Sequence, residues 1–422
     1  MPQPGIVGDL LSAGYPRPVS RSLRRFASDG TLFIVAGTIT AAVGSYLFQM
    51  IGGRSLGAVG FDPVTALLTV HLIVFTVLLL PVEQYEIRRV TLDRTGGGVA
   101  ILAVVGVAVI GAVVFTILTS DRFFAGEMGY ALVGGVAVVC NAILAVGRGR
   151  LAGCRRFRAY GLVSGVVAMA RVLLAVAFLA VARSGLSLGW ALAVAPLLTL
   201  AWRPFRQSRS ATATPVEEPG GRFLLGFVVA SAAGQVLLLA APIAVRVLDD
   251  TPGLMSIVFV TFQLLRAPVV ITQNLLARLL PPFTRLAAEG RRADLRSWLV
   301  RFGALALITA PAAAVVGALL GPPAVRILFG PEFEPGAAMA AFAAVGTVIA
   351  TASLLAGQVL VADGATLRLA AAWGIGFVVA ALAVLPTIGT ADVRVARAFV
   401  AGEAAAFLAI VLSGIGRGDE AE

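Results

Sequence analysis

GVAILAVVGVAVIGAVVFTILTSDRFFAGEMGYALVGGVAVVCNAILAVGRGRLAGCRRFR, residues 98–158, decides the architecture of this chain. Residues 98–119 and 128–147 carry no charged side chain, and the turn between them holds Asp121, Arg122 and Glu127. An α-helix rises about 1.5 Å per residue and bilayer hydrocarbon is about 30 Å thick, so a run of about 20 apolar residues is long enough to cross it. Strands of a membrane barrel are about 10 residues long and alternate in polarity, and these runs do neither. Arg148, Arg150, Arg155, Arg156 and Arg158 follow the second run, as expected where a hairpin returns to the cytoplasmic face.

The pattern extends in both directions. Apolar runs occupy 31–52, 62–82, 98–119, 128–147, 159–182, 185–203, 223–247, 253–275, 298–320, 337–361, 365–386 and 395–415. The expected fold class is an all-α polytopic membrane protein with about 12 transmembrane helices in two six-helix lobes. Composition agrees: of 422 residues, 59% are hydrophobic and 13% charged, against about 45–50% and about 25% in soluble domains. A mean hydropathy of +0.95 argues against a cytosolic enzyme, a disordered chain and a secreted disulfide scaffold. The first run is not a cleavable signal, because it follows thirty mostly polar residues and is too long for an h-region.

All 33 basic residues are arginine, and they test the count of spans. With the N-terminus inside, 24 of them fall in cytoplasmic segments and 7 in outer ones, leaving Arg171 and Arg266 inside spans. A missed or extra helix would have scrambled that alternation downstream. Both termini are therefore expected in the cytoplasm, with the chain multi-pass in the cell membrane. The net charge of +11 lies between apolar runs and not on one soluble face, so the partner it implies is the lipid bilayer and not a nucleic acid.

The expected division is a cytoplasmic segment 1–30, a first lobe 31–203, a cytoplasmic linker 204–222, a second lobe 223–415 and a tail 416–422. The connector 276–297 has a Pro-Pro break followed by a basic amphipathic pattern, expected to lie along the cytoplasmic interface. The two halves repeat weakly. Ala41-Ala42-Val43-Gly44 and Ala232-Ala233-Gly234 each lie in the first span of a half, and Gln84 and Gln273 follow 40 and 39 positions after the respective glycines. Six spans per half give the halves one orientation, with a substrate site between them.

Charged groups inside hydrocarbon are costly and mark pathways or structural pairs. Arg171, Arg266 and His71 are deep in spans five, eight and two, and Glu403 is the deep acidic residue. Positive charge outweighs negative, which favours an anionic ligand, since guanidinium stays charged when buried and its fork matches phosphate oxygens. Arg171 could equally anchor a helix end, His71 bond a neighbouring helix, and Glu403 pair with an arginine or take a proton. Gln263-Leu264-Leu265-Arg266-Ala267-Pro268 places a proline kink beside Arg266. The candidate substrate-binding residues are thus Arg266, Arg171, His71, Gln263 and Gln273, with Gln273 also readable as a helix-end cap. The coupling candidates are Glu403 and Asp363. Cys140 and Cys154 are too few for a disulfide framework and sit in different settings, and one histidine with two cysteines leaves little material for a zinc site, so no metal and no cofactor is expected.

Three stretches resemble the polysaccharide/oligosaccharide flippase branch of the multidrug/oligosaccharidyl-lipid/polysaccharide exporter superfamily. They are Arg54-Ser55-Leu56-Gly57 with Gly60-Phe61 after span one, Leu265-Arg266-Ala267-Pro268 with Gln273, Leu280-Pro281 and Arg285-Leu286-Ala287, and Leu328-Phe329-Gly330-Pro331-Glu332-Phe333 before span ten. The resemblance covers most of 31–415 in span order. It implies two six-helix lobes around a cavity open to one side at a time. It also implies movement of a polyprenyl-pyrophosphate-linked oligosaccharide to the outer leaflet for cell-surface polysaccharide synthesis, beside glycan-assembly enzymes. Related flippases of peptidoglycan precursors carry fourteen helices, against twelve here. The alternatives are a cation-coupled multidrug exporter of the same superfamily, whose cargo would want carboxylates deep in the first lobe, and a membrane glycosyltransferase, for which the short outer loops hold a poor set of carboxylates.

Overall fold

The computed structural model describes residues 31–91, 97–203 and 220–415. The expected segment 1–30, nearly all of the linker 204–222 and the tail 416–422 lie outside the described residues. Everything described is helix or short connection, with no strand among the described residues.

Spans one and two form one helical run, Thr31–Val74, folded back at Gly57, whose φ of 69° needs glycine. The run continues through a π-helical turn, Phe75–Leu79, into Leu80–Thr91. Pro81 lacks an N–H and its ring crowds the Val77 carbonyl four residues back, and the wider π turn accommodates both. The next four spans are Gly98–Leu118, Gly129–Gly153, Phe157–Val181 and Gly185–Val194, the last extended by the 3-10 turns Ala195–Trp202. Span seven is Gly220–Leu239 plus Ala241–Leu248, and span eight is Leu254–Leu265 plus Ala267–Ala288. Spans nine to twelve are Arg292–Phe329, Ala337–Ala362, Thr366–Ala383 and Ala391–Ile415. Prolines break spans seven and eight: Pro242 and Pro268 each remove a donor just inside the new helix start. Span eight bends there by 49°.

Two expectations are corrected. The Pro281-Pro282 pair does not break the connector, because helix continues through both to Ala288. Span nine also starts at Arg292, several residues earlier than expected, so only 289–291 is left as a turn. A proline pair in an established helix costs two hydrogen bonds, which the apolar packing of Phe283 on Trp298 and Phe302, at 5.8 and 6.4 Å, helps to offset.

The repeat is plain in the packing. Spans one and five pack together as do seven and eleven; two and four as eight and ten; three and four as nine and ten; four and six as ten and twelve; five and six as eleven and twelve. Gly44 sits against Ala168 and Met169 of span five, and Gly234 against Trp373 of span eleven. Spans four and ten are central, with 61% and 50% of their apolar windows buried, whereas three and nine show 17% and 11%. Val99, Leu102, Ile110, Leu118, Leu307 and Ile308 are exposed on those two peripheral spans. Soluble proteins rarely expose such continuous apolar faces, and bilayer lipid is the solvent that fits them. Small residues allow the close contacts that helix association in lipid relies on. A Cβ at Gly376 would stand 2.6 Å from the Gly402 carbonyl oxygen, and one at Gly161 would collide with the Phe33 carbonyl.

Candidate functional site

The lobes meet along spans one and two against seven, eight and nine, and the polar bridges concentrate at one end, the outer end by the arginine distribution. Arg54, at the end of span one, donates from Nε to the Leu328 carbonyl at 2.8 Å and from Nη2 to the Ile327 carbonyl, closing the last turn of span nine. Glu332 returns the arrangement by accepting from the Ala58 N–H at 3.1 Å, at the first turn of span two. Phe333 lies edge-on to Phe61 at 6.5 Å. The two turn motifs singled out in the sequence, 54–61 and 328–333, are thus each other's partners. Asp62 caps span eight across the same seam, taking the Gly253 N–H at 2.7 Å and the Ser256 N–H at 2.9 Å. Arg122 donates to the Arg246 and Val247 carbonyls at the end of span seven, and Arg246 donates to the Arg122 carbonyl at 2.9 Å. Beside them Thr251 donates its hydroxyl and N–H to Asp249, which holds that carboxyl below the usual range. Each bridge supplies a charged or polar partner to helix-end groups that their own helix leaves unsatisfied.

Nearer the middle, the Tyr46 hydroxyl donates to the Gln263 carbonyl at 2.8 Å. Val35, Ile39 and Val43 share the Tyr46 face of span one, and toward the inner end all three are exposed. On span eight, Val270, Ile271 and Gln273 are exposed as well. The seam between spans one and eight therefore parts below Tyr46 and Gln263, and Arg266 lies at the apex of the resulting crevice.

Arg266 ends the first half of span eight and starts the second. Its guanidinium is 5.3 Å from the Phe262 ring, and it is close enough to Tyr46 and Glu403 for the charges to interact. Nε and Nη2 of Arg266 and Oε2 of Glu403 are buried and have no hydrogen-bond partner. Glu403, in span twelve, is 1% exposed. Its backbone carbonyl accepts from Ser353 Oγ at 3.5 Å. A buried cation with two idle donors and an acid with an idle oxygen form an incompletely satisfied pair, able to receive a polar ligand group or a proton.

His71 and Arg171 form a second deep group, in the first lobe. They are close enough for their charges to interact, the His71 ring lies 6.2 Å from Phe75, and Arg171 Nε is buried without a partner. His71 lies in span two, the counterpart of span eight in the repeat. No hydrogen bond or ion pair joins the two groups among the described residues. Gln263 contributes its carbonyl to the Tyr46 bridge, while Gln273 is exposed about 10 Å beyond Arg266 along the helix, by a rise of about 1.5 Å per residue. Asp363 lies at the inner end of span ten beside Arg292, ten residues beyond Ser353 and so away from Glu403. Among the described residues no three His, Cys, Asp or Glu side chains are grouped as a metal ion requires.

Sequence reasoning missed a cluster at the inner end of the first lobe. Glu83 and Glu86, one turn apart in span two, are 1% and 0% exposed. Glu83 accepts from Tyr160 at 2.9 Å and pairs with Arg148 at 3.2 Å. Glu86 takes Arg89 at 2.6 Å and Arg150 at 2.8 Å. Gly149 lets span four approach, since a Cβ there would stand 2.7 Å from Glu86 Cβ. The signal was the matched spacing of Glu83-x-x-Glu86 and Arg148-Gly149-Arg150.

No family model and no curated protein sequence matches the chain. Solved structures do. A multidrug resistance MATE family transporter of the MOP superfamily is similar in its inward-facing conformation at a TM-score of 0.66 and 12% identity, covering 88% of this chain and 94% of that one. An outward-facing conformation of such a transporter matches at 0.60 and 16% identity, covering 91% and 95%. A Vibrio cholerae MATE transporter variant matches at 0.59 and 13% identity, covering 94% and 99%. The chain has the two-lobed, multi-pass fold of these transporters.

Proposed function

We propose that this protein is a cell-membrane exporter working by alternating access, with its cargo received in the crevice at Arg266 and Glu403. One observation carries this reading. Polar bridges between the lobes lie at the outer end and at Tyr46, and below Tyr46 Val35, Ile39 and Val43 of span one and Val270 and Ile271 of span eight are exposed. Span seven stays packed on spans two and three at the inner side through Leu224, Val82, Tyr85 and Ile101, so the opening lies between spans one and eight, and lobes latched at the outer end with such an inner opening suit one half of a rocking cycle. The domain limits proposed are 31–203 and 223–415, with 204–222 between them and both termini cytoplasmic.

Two cargo classes remain, each with its own support. The deep groups are three basic or titratable nitrogen side chains, Arg171, Arg266 and His71, against one carboxyl, Glu403. That balance supports an anionic amphiphile such as a polyprenyl-pyrophosphate-linked oligosaccharide, its tail staying in lipid, handed over by glycan-assembly enzymes. The solved structures of like fold are named as multidrug resistance transporters, which supports small-molecule export more than the lipid-linked cargo. Glu403, buried with a free oxygen, suits the proton or cation coupling of such an exporter. Asp363 is the less favoured coupling group because of its place at the inner end.

Mass spectrometry of lipid-linked saccharides in cells depleted of the protein, beside a drug-susceptibility panel, separates the readings. Build-up of a polyprenyl-pyrophosphate glycan identifies the lipid-linked cargo. Unchanged glycans with raised drug sensitivity identify the multidrug exporter. Neither change, with the protein expressed in the control, overturns both.

A further inference from the structure

Span eight is interrupted where it carries its charge. Leu254–Leu265 ends and Ala267–Ala288 begins with Arg266 between them, at φ −77° and ψ −1°. In a continuous helix each carbonyl accepts the N–H four residues on. The interruption withdraws the Ala267 N–H from the Gln263 carbonyl, and Pro268 has no N–H to give to the Leu264 carbonyl. The Arg266 N–H closes the first half on the Phe262 carbonyl at 3.0 Å, and the Val270 N–H opens the second on the Arg266 carbonyl at 3.2 Å. The Gln263 oxygen that the break sets free is taken by the other lobe: the Tyr46 hydroxyl of span one donates to it at 2.8 Å.

Span seven breaks with the same spacing, Ala240-Ala241-Pro242 against Arg266-Ala267-Pro268. The carbonyl there that corresponds to Gln263 is that of Leu237, and among the described residues no side chain of the first lobe donates to it. A proline break in this fold therefore does not need a hydroxyl from across the seam. The Tyr46 bond ties the 49° bend of span eight to the position of the first lobe. A carbonyl stripped of its donor at membrane depth is costly. When Tyr46 leaves, the donor nearest to the Gln263 oxygen along its own helix is the Ala267 N–H, and that bond is made by unbending.

We propose that Tyr46 is a positioning residue for Arg266: its hydroxyl holds span eight bent while the outer seam is latched, and when the lobes part at that end the Gln263 carbonyl turns to the Ala267 N–H and the bend relaxes. Arg266 is the residue that must change most, its ψ moving from near 0° toward the helical value of about −42°. The exchange thus turns the Arg266 side chain relative to Glu403 and converts a lobe movement into a movement at the site. Its use in transport rests on the reading of Arg266 as the cargo site, but the exchange of bonds needs no cargo.

The test is double electron–electron resonance between labels at Leu254→Cys and Arg285→Cys, toward the two ends of span eight, in a Cys154→Ser background and in lipid nanodiscs without cargo. With arms of about 18 and about 28 Å on either side of Arg266, halving the 49° bend lengthens the separation by about 3 Å. Tyr46→Phe, which removes the hydroxyl alone, is expected to lengthen it by that amount. Asp62→Asn, which loosens the outer seam and leaves Tyr46 intact, is expected to shift part of the population the same way, a response that a tyrosine serving only to pack span eight would not give. Pro268→Ala returns an N–H to the Leu264 carbonyl and is expected to lengthen the separation whatever Tyr46 does. A separation that follows Pro268→Ala but not Tyr46→Phe, one that follows Tyr46→Phe but not Asp62→Asn, or one that none of the three moves would overturn the proposal. Loss of the export reading would leave these distances as expected, so the two failures are told apart.

Discussion

Asp62 and Ser256 join the two lobes: one carboxylate oxygen of Asp62 accepts the Ser256 N–H at 2.9 Å and the Ser256 hydroxyl at 2.7 Å. Ser256 Oγ also lies 3.2 Å from Thr65 Oγ1 of the first lobe. With Arg54, Glu332 and Arg122, this makes an outer seam in which each lobe caps the helix ends of the other. A helix cap is worth about 1 kcal/mol, so the seam amounts to a few kcal/mol. That is the scale on which conformers of one protein exchange. The seam is therefore strong enough to hold one state and weak enough to release it.

Asp62→Asn tests the latch. The amide keeps the shape but replaces one acceptor oxygen with a donor, leaving the Gly253 N–H opposed by another N–H. The account expects a membrane-impermeant maleimide to label a cysteine at Thr65, now 0% exposed behind the seam, roughly tenfold faster in Asp62→Asn, a shift of about 1.4 kcal/mol. An unchanged rate would remove Asp62 from the gate.

Arg266 and Glu403 are expected to act as a pair. Removing one partner of a buried pair typically costs about 3–5 kcal/mol because the other charge is stranded, while removing both costs far less. Arg266→Met and Glu403→Leu should each lower the thermal unfolding midpoint, and the double variant should recover most of the loss. Strictly additive losses would show that the two do not interact. In cells, Arg266→Ala is expected to abolish export and Arg266→Lys to weaken it less, at matched protein levels. Export indifferent to both takes Arg266 out of the cargo site.

Close packing makes a third test. Gly161→Ala puts a methyl group onto the Phe33 carbonyl and is expected to cost about 1–3 kcal/mol. Gly106→Ala meets nothing within 4 Å and is expected to leave the midpoint within error. Equal shifts would contradict the approach of spans one and five.

Orientation is read from Cys154, which is exposed while Cys140 is buried. A membrane-impermeant thiol reagent is expected to label Cys154 in inverted vesicles and not in right-side-out ones. Burial pushes the Cys154 thiol up, with Arg156 and Arg150 opposing. The thiolate is the reactive form, so labelling should accelerate as pH rises beyond the ordinary thiol range. Labelling from the other side would reverse the assignment of inner and outer ends.

The spans were legible because hydrocarbon imposes length and polarity on any helix that crosses it, and the arginines registered their alternation. Arg266 and Glu403 were legible singly, as charges where charges are costly. Their pairing was not, since 137 positions separate them and only the packing of spans eight and twelve brings them together. Asp62 opens the apolar run 62–82, and its cap across the lobe interface leaves no local signature in the sequence. Glu83 and Glu86 follow directly on the apolar run 62–82, and only the partnered Arg148-Gly149-Arg150 shows why they are buried. Pro281-Pro282 misled in the other direction, since helix propensity yields to the aromatic packing of Phe283.

The most direct test of alternating access is a pair of distance distributions by double electron–electron resonance in lipid nanodiscs. The inner pair is native Cys154 with Glu289→Cys; the outer pair, in a Cys154→Ser background, is Glu127→Cys with Thr387→Cys. On introducing Asp62→Asn the account predicts that the outer distance lengthens while the inner distance shortens. Two unchanged distributions, or two that lengthen together, would contradict it.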